Sequence, residues 1–504
     1  MLRFRVFVDG APAKGLDLQG AHLLGSDRTP IRADLKFTGG QLVCEPKTRG
    51  AAALAILWPV KGLGRVMLET PRLLERKEPY HLHVELARGQ LMRISQKRED
   101  WGLYDFNEGQ ALYDEVDAAR DQLVAAMTAA DDASAARQAD EALAAGVKVG
   151  ESIGAFHADV FLKRRRAAGQ LSRRPMGIRL EAAQCFPSGG QSGTVPPAYG
   201  PKLVEAFDFI SVPFRWGSCE PREGKHAMGA MEAWLRWARE KRLHVWGSSL
   251  VSFSLGDLPD WVRVGPKEFE KLRDMVMRHV RHTVKTFGPY VQAWEVATGI
   301  HAHNPFKLTF EQLMELTRLS ATMARQASPR SSILLGIQLP WGEYYAEDAQ
   351  TALPLLYAEI AVQSGIHFDA FGLELLFSGD GAGNWVRDFM QISSLIDRFG
   401  NLGKPLHITA TAAPSSAGAA QSGEWRGPWS EAVQAEWARE LYRIAFSKPF
   451  VETVTWASPA DRAPDSPGCG LFKADGSPKL VFDELMFLRG SVLGIRAREA
   501  APAE

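Results

Sequence analysis

Glu181, Glu295, Glu343 and Glu374 each fall at or just beyond the end of a strand-like segment: IRLEA, AWEVAT, QLPWGE and FGLELL. Gathered at one end of a sheet, such carboxylates can do acid–base or nucleophilic work. The plainer role is structural, since a glutamate inside a sheet is commonly neutralised by a neighbouring cation, as Glu181 would be by Arg179 or Arg215. Other strand ends carry polar and aromatic side chains: Arg215 and Trp216, Gln338, and Trp456. Aromatic faces stack on apolar ring faces while amide and guanidinium groups bond hydroxyls. His301-x-His303 has a spacing found in metal sites but lacks an assignable third ligand, so no metal is expected. No G-x-S-x-G elbow is present. The glycine-rich SGDGAG (378–383) lacks the lysine and spacing of a phosphate loop, and no cofactor is expected.

These residues need a scaffold that places many strand ends on one face. From about residue 172 the pattern alternates strand and amphipathic helix, with strands expected at 176–182, 207–214, 242–251, 291–298, 332–339, 368–377, 405–411 and 451–458. Eight such units over about 320 residues predict a (β/α)8 TIM barrel, in which chemistry sits at the C-terminal strand ends. Residues 1–105 read as a β-sandwich of short strands, including GRVMLET and YHLHVELARGQLMRISQ, with a hairpin signal at Thr38-Gly39-Gly40. Residues 106–171 read as a helical connector whose end, Lys163 to Arg166, suits a solvated helix C-terminus. The barrel is assigned to 172–495, giving an α/β protein with a sandwich and connector ahead of it.

Length and composition agree with several modules, at 504 residues with 45% hydrophobic and 23% charged side chains. Lys plus Arg equals Asp plus Glu at 59 each, so bulk charge gives no reason to expect a nucleic-acid partner. No apolar run reaches the length of a membrane span, and MLRFRVFVDG lacks the core of an export signal. The four cysteines form no CxxC pair, which fits free thiols, and a cytoplasmic location is expected. Oligomeric state has no signature.

The strand ends, read in order, resemble glycoside hydrolase family 10, the retaining endo-xylanases. FRW (214–216) is similar to the family's Lys-Trp pair, with Arg for Lys; VWG (245–247) followed by LPDW (258–261) is similar to its third strand. WEVATG (294–299), FDAFGLELL (368–376) and PLHITA (405–410) resemble its fourth, sixth and seventh, and the closing GLFKADGSPKLVFDEL its C-terminal segment. The resemblance implies a carbohydrate ligand and a cleft at the strand ends. It also implies an acid/base glutamate at the position of Gly299, with asparagine at Thr298, and a nucleophilic glutamate at the position of Ala410. Histidines are expected where Gly247 and Leu376 stand. Two readings follow. In one, Glu374 and Glu295 catalyse hydrolysis of a β-linked glycoside, with Arg215, Trp216, Glu181, Gln338 and Trp456 holding the sugar. In the other, the barrel is a non-catalytic pseudo-glycosidase that binds glycan or acts as a scaffold.

Overall fold

Strands β1 (Met176–Arg179), β2 (Phe209–Pro213), β3 (His244–Ser248), β4 (Ala293–Thr298), β5 (Ser332–Ile337), β6 (Ala370–Leu376), β7 (Leu406–Ala412) and β8 (Val451–Trp456) form a closed parallel barrel in sequence order. β8 returns to β1 through Met176 opposite Val454, so no strand edge is left open. The computed structural model describes residues 1–103, 106–180, 199–265, 268–377, 384–417, 422–461 and 468–495. The barrel strands are buried nearly end to end, as parallel strands covered by helices must be. Helix starts follow from local chemistry: Asp388 and Ser430 accept from backbone N–H groups of the first turn, and Thr309 with Gln312 makes a capping box.

The ladders are irregular where the chemistry-bearing side chains lie. The β4–β5 register shifts between Glu295 and Ala297, and the β6–β7 register between Leu373 and Glu374, which sets Glu374 opposite Ala410. A further shift separates Ile408 from Thr411 against β8. Such bulges bend a strand and re-aim its side chains.

Residues 2–81 hold two four-stranded sheets, Leu2–Arg5 with Ala33–Thr38, Gln41–Pro46 and Tyr80–His81, and His22–Leu24 with Pro30–Ile31, Ala53–Val60 and Gly64–Glu69. Their inward residues, among them Phe4, Leu42, Leu54 and Val66, join one core. The expected strand after residue 80 is instead the helix α1 (Leu82–Asp100). HLHVEL alternates like a strand, but LARGQLMRISQKRED is rich in helix formers, and both faces of α1 are partly covered. α2 (Gln110–Met127) and α3 (Asp132–Ala167) complete a helical layer, with α3 packed on α1, α2 and the barrel helix Glu431–Ser447.

The basic run at the end of α3 is exposed at Lys163, Arg164 and Arg166, as expected, but not at Arg165. Arg165 is buried and donates to the carbonyls of Phe446 and Lys448, while Arg166 reaches those of Ser491 and Val492. The N-terminal sheets are joined to the barrel by backbone as well. Met67 N donates to Val386 O at 2.8 Å and Glu424 N to Arg65 O at 2.8 Å.

Candidate functional site

The lumen near the strand ends holds a charged cluster drawn from four strands. Arg179 at the end of β1 donates from Nη1 to Glu374 Oε1 on β6 at 3.1 Å. On the opposite strand pair, Thr409 of β7 donates from Oγ1 to Glu295 Oε1 of β4 at 3.0 Å. Both carboxylates are almost fully buried, Glu295 at 4% and Glu374 at 6% exposure. Glycines make room for Glu295: a Cβ at either Gly336 or Gly372 would run into its carboxyl group. Burial, and then repulsion from the Glu374 charge, push Glu295 up to about 8, against the smaller opposing effects of Thr409 and Arg179. At neutral pH Glu295 is held mostly as the neutral acid, beside the Arg179–Glu374 ion pair.

The positions that the resemblance assigns to catalysis are filled by packing. Gly299 has φ +63°, a conformation that disfavours any side chain, and a Cβ there would meet the Gln338 carboxamide. Gln338 Oε1 in turn accepts from Ser254 Oγ at 3.4 Å. Ala410 is fully buried among Ala412, Ala457 and Cys469. At Gly247, a Cβ would strike the ring of Trp294. Each small residue is therefore matched by a neighbour that occupies the freed volume.

The remaining expected site residues separate into two groups. Arg215 and Gln338 reach the rim of the strand ends, Arg215 pairing with Asp257 at 3.1 Å. Trp216 and Trp456 sit differently from their expected role as sugar contacts. Trp216 is 1% exposed, stacked on His279 at 4.7 Å, with its Nε1 donating to Glu220. Trp456 is fully enclosed and donates to Cys469 O at 2.9 Å. Neither offers a ring face in this conformation. Glu181 and the SGDGAG segment lie outside the described residues. Glu343 is buried in an ion pair with Arg387 rather than facing the lumen cluster.

His301 is enclosed, hydrogen-bonded through Nδ1 to Tyr344 at 2.7 Å, and burial pushes it down to about 3, so it is neutral. Among the described residues no three His, Cys, Asp or Glu side chains converge as metal ligands. No helix of the described residues is long and apolar enough to cross a membrane. Arg179 as partner of Glu374, and Thr409 as partner of Glu295, are contacts the sequence did not pair. No sequence signal pairs them, because bulges in β4, β6 and β7 decide which side chains face the lumen.

A closed eight-stranded (β/α)8 barrel with acidic residues at its C-terminal strand ends can host many chemistries. The sequence model of Glycosyl hydrolase family 10 matches residues 212–463, half of the chain, and the protein belongs to that family. Similar solved structures include a GH10 protein from Paenibacillus barcinonensis, at 17% identity over 62% of this chain and 94% of that one, TM-score 0.47. Native xylanase 10B from Thermotoga maritima is 16% identical over 66% and 97% of the two chains, TM-score 0.47. A mutant of xylanase 10C from Cellvibrio japonicus in complex with xylopentaose is 13% identical over 65% and 68%, TM-score 0.49.

Proposed function

We propose that the barrel mouth binds a β-linked glycan without cleaving it by the two-carboxylate double displacement. One observation carries the reading: the acid/base and nucleophile positions are Gly299 and Ala410, and both are occupied by neighbouring groups. A retaining mechanism needs one carboxyl group to attack and one to shuttle a proton. Glu374 is committed to Arg179 and Glu343 to Arg387, which leaves neither as a free attacking group. Arg215 and Gln338, with Glu181 if it reaches the cleft, would bond sugar hydroxyls at the rim. The chain would then act as a glycan-binding pseudo-glycosidase or scaffold.

A second reading rests on Glu295. A carboxyl group held protonated beside a second carboxylate is the pattern of an acid and its partner, and Glu295 is raised by burial and then by the Glu374 charge. In that reading Glu295 protonates the leaving group and Glu374 acts as base or nucleophile. Titration with xylopentaose, together with an assay of aryl β-glycosides, separates the two. Binding without turnover supports the first, and turnover abolished by Glu374→Gln with binding retained supports the second.

A further inference from the structure

We propose that a cleft between the N-terminal sheets, α1 and the rim of the barrel is a second ligand site, specific for a sugar bearing an oxyanion, such as a uronate or a sugar phosphate. The cleft has a volume of about 620 Å³, within the range of small-molecule pockets. Arg28, Arg93 and Arg398 line it beside Trp341, Leu353 and Leu355, and the carboxylates Asp27, Asp100, Glu359 and Asp397 line it as well. A small recess beside it is lined by Arg28, Arg387 and Arg398 against Glu69 alone among carboxylates.

Several local carboxylates are already engaged, while Glu359 and Asp27 also line the cleft near Arg398. Glu69 is shared by Arg28 at 3.6 Å and Arg93 at 4.0 Å, Asp388 takes Arg93 at 3.2 Å, and Arg387 pairs with Glu343. Asp397 on the cleft wall is held by Lys97 at 3.3 Å and Lys448 at 2.9 Å. Arg398 is the exception. Its Nη2 donates only to the Asp27 carbonyl at 2.8 Å, and among the described residues no carboxylate lies within ion-pair distance of it. Burial and the nearby Arg28 charge push Arg398 below the usual guanidinium value, with Glu69, Asp27 and Glu359 opposing. An oxyanion between Arg28 and Arg398 would relieve both effects, and two forked guanidiniums suit carboxylate and phosphate geometry.

The backbone gives a separate indication. Asp27 and Arg28, neither of them glycine, are held at φ +54° and +56°. Consecutive left-handed residues are costly and persist where the surrounding structure requires them, commonly at ligand sites. Here they set Arg28 over the cleft. Trp341 has Arg387 over its ring at 4.6 Å and is half-buried, so the rest of its surface lines the cleft. An aromatic surface beside paired arginines suits a ring that carries a charged substituent. The charge requirement follows from the arginines; the choice of a sugar as the ring rests on the proposed glycan-binding function of the barrel.

Isothermal titration of the full chain with glucuronate, glucose 6-phosphate, glucose and inorganic phosphate tests this, using wild type, Arg398→Gln and Arg28→Gln. The expected result is saturable binding of at least one anionic sugar. It should be at least tenfold tighter than binding of glucose or phosphate, and at least tenfold weaker in both variants. The preferred anionic sugar names the oxyanion. Failure of both anionic sugars to saturate wild type, unchanged affinity in the variants, or phosphate binding as tightly as the sugars would each overturn the proposal. Xylopentaose titrated into the same three proteins reads the barrel mouth separately, so that loss of one site is not mistaken for loss of the other.

Discussion

The barrel mouth and the junction between the N-terminal sheets and the barrel treat charge in opposite ways. At the mouth, the two positions where the family resemblance calls for carboxylates carry hydrogen and methyl side chains, and their volume is taken by Gln338 and by an alanine–cysteine cluster. At the junction, Glu69, Arg93, Arg387, Asp388 and Glu343 are all buried and mutually paired. Burial raises the proton affinity of Glu69, yet Arg28, Arg93 and Arg387 outweigh it and hold its carboxyl at about 2. Inside the lumen the balance is reversed, and Glu295 is raised. A buried acid is charged only where enough guanidinium surrounds it. The junction therefore keeps a network of fixed charges, whereas the described lumen cluster combines the Arg179–Glu374 pair with a neutral acid.

The largest expected effect lies at the junction. Arg93→Ala leaves Asp388 without its cation and Glu69 with one fewer, and should cost about 3–5 kcal/mol in denaturant unfolding. A cost under about 1 kcal/mol would mean that the network is open to water. At the mouth, Ala410→Glu restores a carboxylate but forces it among Ala412, Ala457 and Cys469. It should cost at least about 2 kcal/mol and generate no hydrolysis of aryl glycosides. Activity in that variant would show that the framework still accepts the nucleophile.

Glu295 gives a pH signature of defined sign. Its folded-state proton affinity is raised, so the stability it contributes is complete below its ordinary value of 4.5 and is lost as pH rises toward about 8. Glu295→Gln should flatten this decline and raise Tm at pH 8 by roughly 5 °C, because each tenfold change in proton affinity on folding is worth about 1.4 kcal/mol before relaxation reduces it. Thermal melts of both proteins across about pH 5 to 8.5 check it, and parallel pH profiles would show that Glu295 is not the titrating group. The smallest effect is expected at the sheet surface. Lys36 and Glu45 are 3.0 Å apart but 62% and 39% exposed, and Lys36→Ala should change stability by no more than about 0.5 kcal/mol.

The barrel was legible because its strands combine length, β-branched content and regular helical spacing. Seven fall within the expected segments, and the seventh strand, Leu406–Ala412, runs one residue beyond its segment. The pairing of Arg179 with Glu374 was not legible, since it depends on bulges that shift register by one residue and so decide which side chains face the lumen. Trp216 and Trp456 illustrate the same limit. Sequence places them at strand ends, but their indole N–H groups find Glu220 and Cys469 O, and the rings pack inward. At 82–100 the period-two pattern of HLHVEL competed with helix propensity further along, and the helix prevailed. Arg165 could not be separated from its solvated neighbours by composition. Only the tertiary position of the Phe446 and Lys448 carbonyls distinguishes it. The cleft at the junction was invisible for a related reason, being assembled from residues more than 300 positions apart.

The central question is whether this barrel holds a glycan it does not cut. The direct test is to incubate wild-type protein with xylopentaose, measuring bound sugar calorimetrically and new reducing ends in the same sample. Saturable binding with no reducing ends above the protein-free control is the predicted result. Steady release of reducing ends by wild type, abolished by Glu374→Gln, would contradict it.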